Sequence, residues 1–212
     1  IYCSENCYKK MAKYIKYFGS GIAATLAATY VEKKILPNHL PSVVFETSQV
    51  AGLPRSFALV ALVLVMSGMW LVVYGLKTGS LRKKYMAKAI KDGEKDAEER
   101  FGLPNLYVTG GGKHAKAFNC AQRSHQQIFE TLPQFYVFTI LGALEFPLTV
   151  GITTLLWAYA RMKWAEGYAK SEGNPSKRYS HPLAYFIWIG LVFNMFTALY
   201  AICNISGIYY FW

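Results

Sequence analysis

S-F-A-L-V-A-L-V-L-V-M-S-G-M-W-L-V-V-Y-G-L, from Ser56 to Leu76, contains no formally charged side chain. A helix crossing a hydrocarbon layer about 30 Å thick needs about 20 such residues, so the stretch reads as a transmembrane span. The pattern recurs along the chain. From Pro182 to Trp212 there is again no charge, and between Thr131 and Ala160 the only charged residue is Glu145. The predicted spans are therefore Ser56 to Leu76, Phe118 to Leu144, Leu148 to Tyr168, and a fourth that begins after Pro182 and reaches at least Cys203. The second and third form a hairpin about Glu145 and Pro147. The expected fold is all-α: an integral membrane protomer built as a four-helix bundle, residues 56–212, preceded by an extension, residues 1–55, that adds an interfacial or a fifth helix.

The 212 residues are 53% hydrophobic, enough for a core, but the apolar residues lie in blocks that a soluble domain has little reason to form. The formal net charge of +11 admits nucleic acid, an anionic membrane or an anionic small molecule as partner. Position decides among them. Lys77, Arg82, Lys83 and Lys84 follow the first block, and Arg161, Lys163, Lys170, Lys177 and Arg178 lie between the third and fourth. Basic residues at the ends of membrane helices are the positive-inside signal, and with no accompanying nucleic-acid motif they exclude a nucleic-acid-binding role. Four cysteines, two of them the Cys3–Cys7 pair, make no disulfide framework, and the four histidines do not cluster with them into a zinc site. No metal is expected.

Ahead of the first confident span, Tyr8 to Tyr17 holds Lys9, Lys10, Lys13 and Lys16 without an acidic residue. This suits either an import-related segment or a basic juxtamembrane helix. Tyr17 to Val31 is uncharged, short for a crossing and rich in Ala, Gly and Thr, which predicts an interfacial or partly inserted helix. With four crossings these lysines fall on the side opposite the two basic loops, and a fifth crossing by 17–31 removes that conflict. A charged helical stretch from Leu81 to Arg100 is expected after the first span, broken at Gly102 and Pro104 and followed by the Gly110 to Gly112 turn.

The second span carries the functional signal. Phe118 to Pro133 reads F-N-C-A-Q-R-S-H-Q-Q-I-F-E-T-L-P. At about 100° per residue Asn119, Arg123, Gln126, Gln127, Glu130 and Gln134 share an arc of roughly 100°, with Phe118, Ala121, Ile128, Leu132 and Tyr136 opposite. A charge at bilayer depth costs at least ~2.5 kcal/mol, so Arg123 and Glu130 require partners. Their spacing, roughly 10.5 Å along the axis, exceeds most direct pairs on one helix. A zwitterionic ligand or a neighbouring subunit fits between them; a purely structural polar network is the other reading. On the third span Arg161, Trp164 and Tyr168 share a face by their i, i+3 and i+7 spacing, with boundary anchoring the plain reading of the two aromatics.

Together these segments resemble the membrane-associated eicosanoid and glutathione metabolism family, most of all its type-3 microsomal glutathione transferase branch. The residues concerned are R-K-K-Y at Arg82 to Tyr85, P-N-L-Y at Pro104 to Tyr107, the motif at Phe118 to Pro133, E-G-Y ending at Tyr168, and P-S-K-R at Pro175 to Arg178, in order across about Ser56 to Gly207. The resemblance implies a homotrimer of four-helix protomers binding glutathione between neighbours. It also implies that Arg123 and Glu130 hold the glutathione backbone together with Gln127, Trp164 and Tyr168, that Arg82 meets a ligand carboxylate, and that Arg178 is the catalytic residue stabilising the thiolate. The implied second substrate is a hydrophobic electrophile or a lipid hydroperoxide, reached through membrane lipids.

The residue types suit that chemistry. Glutathione carries two carboxylates and an ammonium, for which guanidinium groups and Glu130 are complementary. A thiol of pKa near 8.5 is roughly 3% thiolate at pH 7, and a cation lowering that pKa by about two units raises the fraction to roughly three quarters. Two positions depart from the family pattern: Gln127 replaces an asparagine, and Trp164 replaces a tyrosine, keeping an N–H donor but no acceptor. Residues 1–55 and the insertion around Met86 to Gly102 match nothing in the pattern. With the aromatic tail Tyr209 to Trp212, these features motivate an alternative, a non-catalytic accessory subunit of a larger membrane complex, in the endoplasmic reticulum or a mitochondrial membrane.

Overall fold

The computed structural model describes residues 5–48 and 52–207, and for residues 5–15, 17 and 18 the backbone alone. Cys3, the Cys7 side chain and the tail from Tyr209 lie outside that description. The described residues contain no strand, only an isolated bridge between Thr47 and Pro54. Their α-helices are α1 (Glu5–Tyr30), α2 (Phe57–Lys91), α3 (Ala97–Phe101), α4 (Lys113–Ala143), α5 (Pro147–Ala169) and α6 (Phe186–Ser206). On composition alone α2 and the segment Pro182–Ser206 are apolar enough to cross a membrane, with mean hydropathies of 2.4 and 1.9. With 31 and 23 residues, α4 and α5 also have the required length, and their polar residues lower their hydropathy.

The first span and the charged stretch after it are one helix. No residue between Leu76 and Lys91 interrupts the ladder until Gly93, at φ +73°, turns the chain. Gly93 N–H donates to Ile90 O and Glu94 N–H to Ala89 O, both at 3.0 Å, which is the Schellman closure that a left-handed glycine permits. The following insertion is ordered by charge and a small core. The Asp92 carboxylate accepts from Lys113 Nζ and lies against His114 Nε2, both at 2.8 Å, and Arg100 pairs with Glu94 at 3.2 Å. The hydrogen bonds from Lys113 and then His114 hold the Asp92 carboxyl at about 2, below its ordinary 3.8. Beneath them Phe101, Val108, Ala115 and Phe118 pack together.

The chain divides into two compact units, each drawing on several helices. The first comprises the residues up to Leu62, Phe135–Thr154, and those from Trp188 onward. Here α1 packs closely against α6: a Cβ on Gly21 would stand 3.2 Å from the Phe196 ring, which would have to shift by a few tenths of an ångström. Twelve residues on, Lys33 lines the same cavity as Tyr200 and Asn204. The two helices therefore run side by side in the same direction. In this unit α1 is thus a further helix laid along α6. The Ala/Gly/Thr composition of 17–31 gives it a smooth flank for that contact.

Several polar groups of this unit are paired internally, though Asn194 Oδ1 and Thr25 Oγ1 are buried without a partner among the described residues. Asn194 Nδ2 donates to Thr139 Oγ1 at 3.0 Å and Thr154 Oγ1 at 3.3 Å, joining α4, α5 and α6 through a fully buried knot. Where α1 ends in a π turn, the Glu32 carboxylate accepts from Leu148 N–H at 2.9 Å and Thr149 N–H at 2.8 Å, while Lys33 pairs with Glu145.

The second unit, Val63–Gln134 and Leu155–Ile187, has a core of Leu71, Tyr74, Ile128, Ala160, Trp164 and Tyr168 among others. The Tyr74 hydroxyl donates to Ala165 O at 3.0 Å and shares a 2.7 Å hydrogen bond with Ser124, so α2, α4 and α5 are joined by satisfied polar groups. Outward, α2 presents Val65, Met66, Met69, Val72, Val73 and Leu76, all 56% to 71% exposed. A continuous exposed apolar stripe of this length is stable only against lipid or another subunit.

Candidate functional site

The polar face of α4 divides into three kinds of contact. At its start Asn119 grips the backbone of Val108, donating to its carbonyl and accepting from its N–H at 2.8 Å each. Gln126 then accepts from the Tyr107 hydroxyl. These two contacts pin the P-N-L-Y segment, which Arg82 holds from α2 by donating to Phe101 O at 3.1 Å and Leu106 O at 3.0 Å while lying 4.5 Å over the Phe118 ring. The structure thus places Arg82 in a loop clamp, with both terminal nitrogens engaged by carbonyls.

One turn further, Arg123 and Glu130 meet directly: Nη2 donates to Oε2 at 3.0 Å, and Nη1 donates to Oε1. This corrects the expectation that the i, i+7 spacing is too long. Two extended side chains, one leaning towards each end of the helix, together cover the two turns. The pair is not sealed, its side chains being 38% and 46% exposed. A bidentate ion pair exposed on a helix has the chemistry to exchange its partners for a carboxylate and a cation.

Gln127, on the same face, turns inward instead. It is 9% exposed, and its Oε1 accepts from Arg161 Nη2 on α5. Arg161 is the functional candidate that the sequence reading passed over by counting it among the loop basics. It is 1% exposed, lies 4.8 Å over the Trp164 ring, and has no carboxylate within salt-bridge distance among the described residues. Arg161 Nε and Trp164 Nε1 are buried without a hydrogen-bond partner among those residues. The available signal was its i, i+3, i+7 register with Trp164 and Tyr168, well inside the third predicted span.

Trp164 and Tyr168 stack edge to face, with centroids 5.2 Å apart. The 3-10 turn Pro175–Tyr179 places Arg178 5.7 Å over Tyr168 and 5.3 Å over Tyr179. This turn is capped by Asn174, whose side chain accepts from Ser176 N–H at 3.0 Å. It approaches α5 closely only because residue 167 is glycine: a Cβ there would stand 2.6 Å from Lys177 O and 3.0 Å from Ser180 Oγ. The E-G-Y motif therefore seats the arginine-bearing turn. Of the expected site residues, Arg123 pairs with Glu130 on α4 and Arg178 lies over Tyr168; Gln127 and Trp164 join Arg161 in the interior, and Arg82 serves the loop.

Compared with known proteins, the profile of the MAPEG family matches residues 60–201, from the first turn of α2 to the last of α6, leaving α1 outside. No solved structure matches the chain.

Proposed function

Because the chain belongs to the MAPEG family, of membrane proteins in glutathione and eicosanoid metabolism, we propose that it is a glutathione-dependent transferase or peroxidase acting on hydrophobic substrates. The open Arg123–Glu130 pair on α4 is the observation that supports this reading. Glutathione exchanges partner for partner: one carboxylate takes the Arg123 guanidinium and its ammonium takes Glu130, so neither of these side chains is left unpaired. Arg178, held over Tyr168, supplies the positive field that keeps the thiol ionised. The thiolate forms a carbon–sulfur bond with an electrophile, whose leaving group departs with its electron pair. With a hydroperoxide, sulfur attacks the outer oxygen, the O–O bond breaks and the alcohol leaves; a second glutathione then gives the disulfide and water. The oligomer in this reading is a homotrimer with shared sites, in the endoplasmic reticulum or a mitochondrial membrane.

Arg123→Ala is expected to weaken glutathione binding about ten- to a hundredfold, the worth of a hydrogen-bonded charge. Arg178→Ala leaves binding nearly intact and reduces thiolate formation at pH 7 about 25-fold. Calorimetry and the ultraviolet absorbance of the thiolate read the two effects separately. Equal affinity and thiolate yield in both variants would move the site elsewhere. Gly167→Ala tests the seat of the turn: the added methyl meets Lys177 O, the turn moves away, and thiolate formation falls as in Arg178→Ala while the protein still assembles. Normal thiolate formation in that variant means that Arg178 is not placed by this contact.

The inward turn of Gln127 and the tryptophan at 164 favour one other reading, an accessory subunit of a larger membrane complex on the same fold. Native mass measurement with glutathione present separates the two. A homotrimer retaining glutathione supports the enzyme, whereas one copy in a larger assembly with no glutathione bound supports the subunit.

A further inference from the structure

Where α1 and α6 end together in the first unit, a cavity of about 400 Å³ opens between them and the α4–α5 turn. Its floor is aromatic, formed by Phe146 and Tyr200 with ring centroids 5.4 Å apart, and Tyr30 and Asn204 add to its walls. Two ammonium groups stand on its rim. Lys33 is paired with Glu145 and lies 5.2 Å over Phe146, while Lys34 has no carboxylate partner among the described residues. The other nearby carboxylate, Glu32, is buried and turned onto the first turn of α5, outside the lining. The rim thus carries one positive charge more than its own groups neutralise.

Its setting defines what neutralises it. The cavity lies where the uncharged run Tyr17 to Val31 gives way to Glu32, Lys33 and Lys34, the boundary between hydrocarbon and headgroup layers. Leading away from it along the hydrocarbon, Ile22 and Leu26 on α1 and Leu199 and Ile202 on α6 are exposed. A rim that seeks an anion, continuous with a flank that seeks alkyl chains, has the chemistry of one molecule. We propose that this cavity is a binding site for an anionic glycerophospholipid, with the phosphate between Lys33, Lys34 and Asn204 and the acyl chains along α1 and α6. Basic pockets between membrane helices hold acidic headgroups on the same principle. The site depends on the N-terminal extension, because Lys33 and Lys34 lie outside the family match, and it stands independently of the glutathione reading.

The test is native mass spectrometry of the full-length detergent-solubilised protein with equimolar phosphatidylglycerol and phosphatidylcholine. The native chain is expected to retain phosphatidylglycerol about fivefold over phosphatidylcholine, the preference that one unneutralised lysine confers near an anionic headgroup. Lys34→Ala should abolish the preference and Lys34→Arg restore it, both with unchanged thermal unfolding, since Lys34 has no internal partner to lose. A parallel arm adds excess inorganic phosphate: loss of the bound lipid would mean that the rim takes phosphate without regard to its chains. That result, equal retention of the two lipids, or an undiminished preference in Lys34→Ala would each overturn the proposal.

Discussion

Replacing Gln127 with leucine is expected to destabilise the protein by about 2–4 kcal/mol, a fall of about 5–15 °C in thermal unfolding. The reason lies on α5. Arg161 is 1% exposed, its Nη2 donates to Gln127 Oε1, and its Nε already lacks an acceptor among the described residues. Leucine fills the glutamine's volume and removes the acceptor, so a buried guanidinium keeps only the faces of Trp157 and Trp164, at 6.0 and 4.8 Å, as polar company. Gln127→Asn should lose part of the same energy, since its amide falls one methylene short of α5. The decisive comparison is the double variant Gln127→Leu with Arg161→Leu. Removing the charge along with its acceptor should recover more than half of the loss, because an apolar pair is far less costly to bury than an unpaired cation. Fluorescence-detected unfolding in detergent measures all of these. A Gln127→Leu protein as stable as its parent would mean that Arg161 draws its support from elsewhere.

The same two residues show where sequence reading reaches its limit. A run such as Ser56 to Leu76 declares a span by length and apolarity alone, and the α4 stripe emerges from helical period, because both are properties of neighbouring residues. Which member of the stripe faces a ligand and which faces α5 is not such a property. Gln126 and Gln127 are adjacent, yet one reaches a loop tyrosine and the other a buried arginine. Arg161 was counted with the loop basics although it lies inside the third predicted span, and its packing against tryptophan shows that its charge is turned inward. For the Arg123–Glu130 pair, axial rise was the wrong measure: the reach of two flexible side chains closes a gap that the backbone spacing leaves open. The placement of α1 was undecided for a related reason. Its lysines and short apolar run describe its own surface, whereas its position depends on a glycine that fits against Phe196 and on a carboxylate whose partners lie over a hundred residues away.

That carboxylate yields the other large effect: Glu32→Ala should detach the end of α1 and destabilise the protein by about 2–3 kcal/mol. Helix α5 begins at Pro147, which has no N–H of its own, so the first donors needing a partner belong to Leu148 and Thr149. The preceding residue, Phe146, offers no side-chain acceptor. Glu32 supplies both oxygens from the end of α1, at 2.9 and 2.8 Å, and is itself 4% exposed. Its carboxylate also meets the positive end of the α5 dipole. Alanine orphans two part-buried donors and cuts the two-bond polar tie between α1 and the start of α5; Lys33 to Glu145 remains, on a half-exposed lysine. Glu32→Gln keeps one acceptor and turns an N–H₂ towards the second donor, so its loss should be intermediate. Glu32→Asp, a methylene shorter, should behave more like alanine. Hydrogen exchange distinguishes this from general instability: protection should fall first in α1 and at the start of α5, while Tyr74 and its neighbours in the second unit keep theirs. Uniform loss of protection, or none, would show that α1 is held chiefly by its flank against α6.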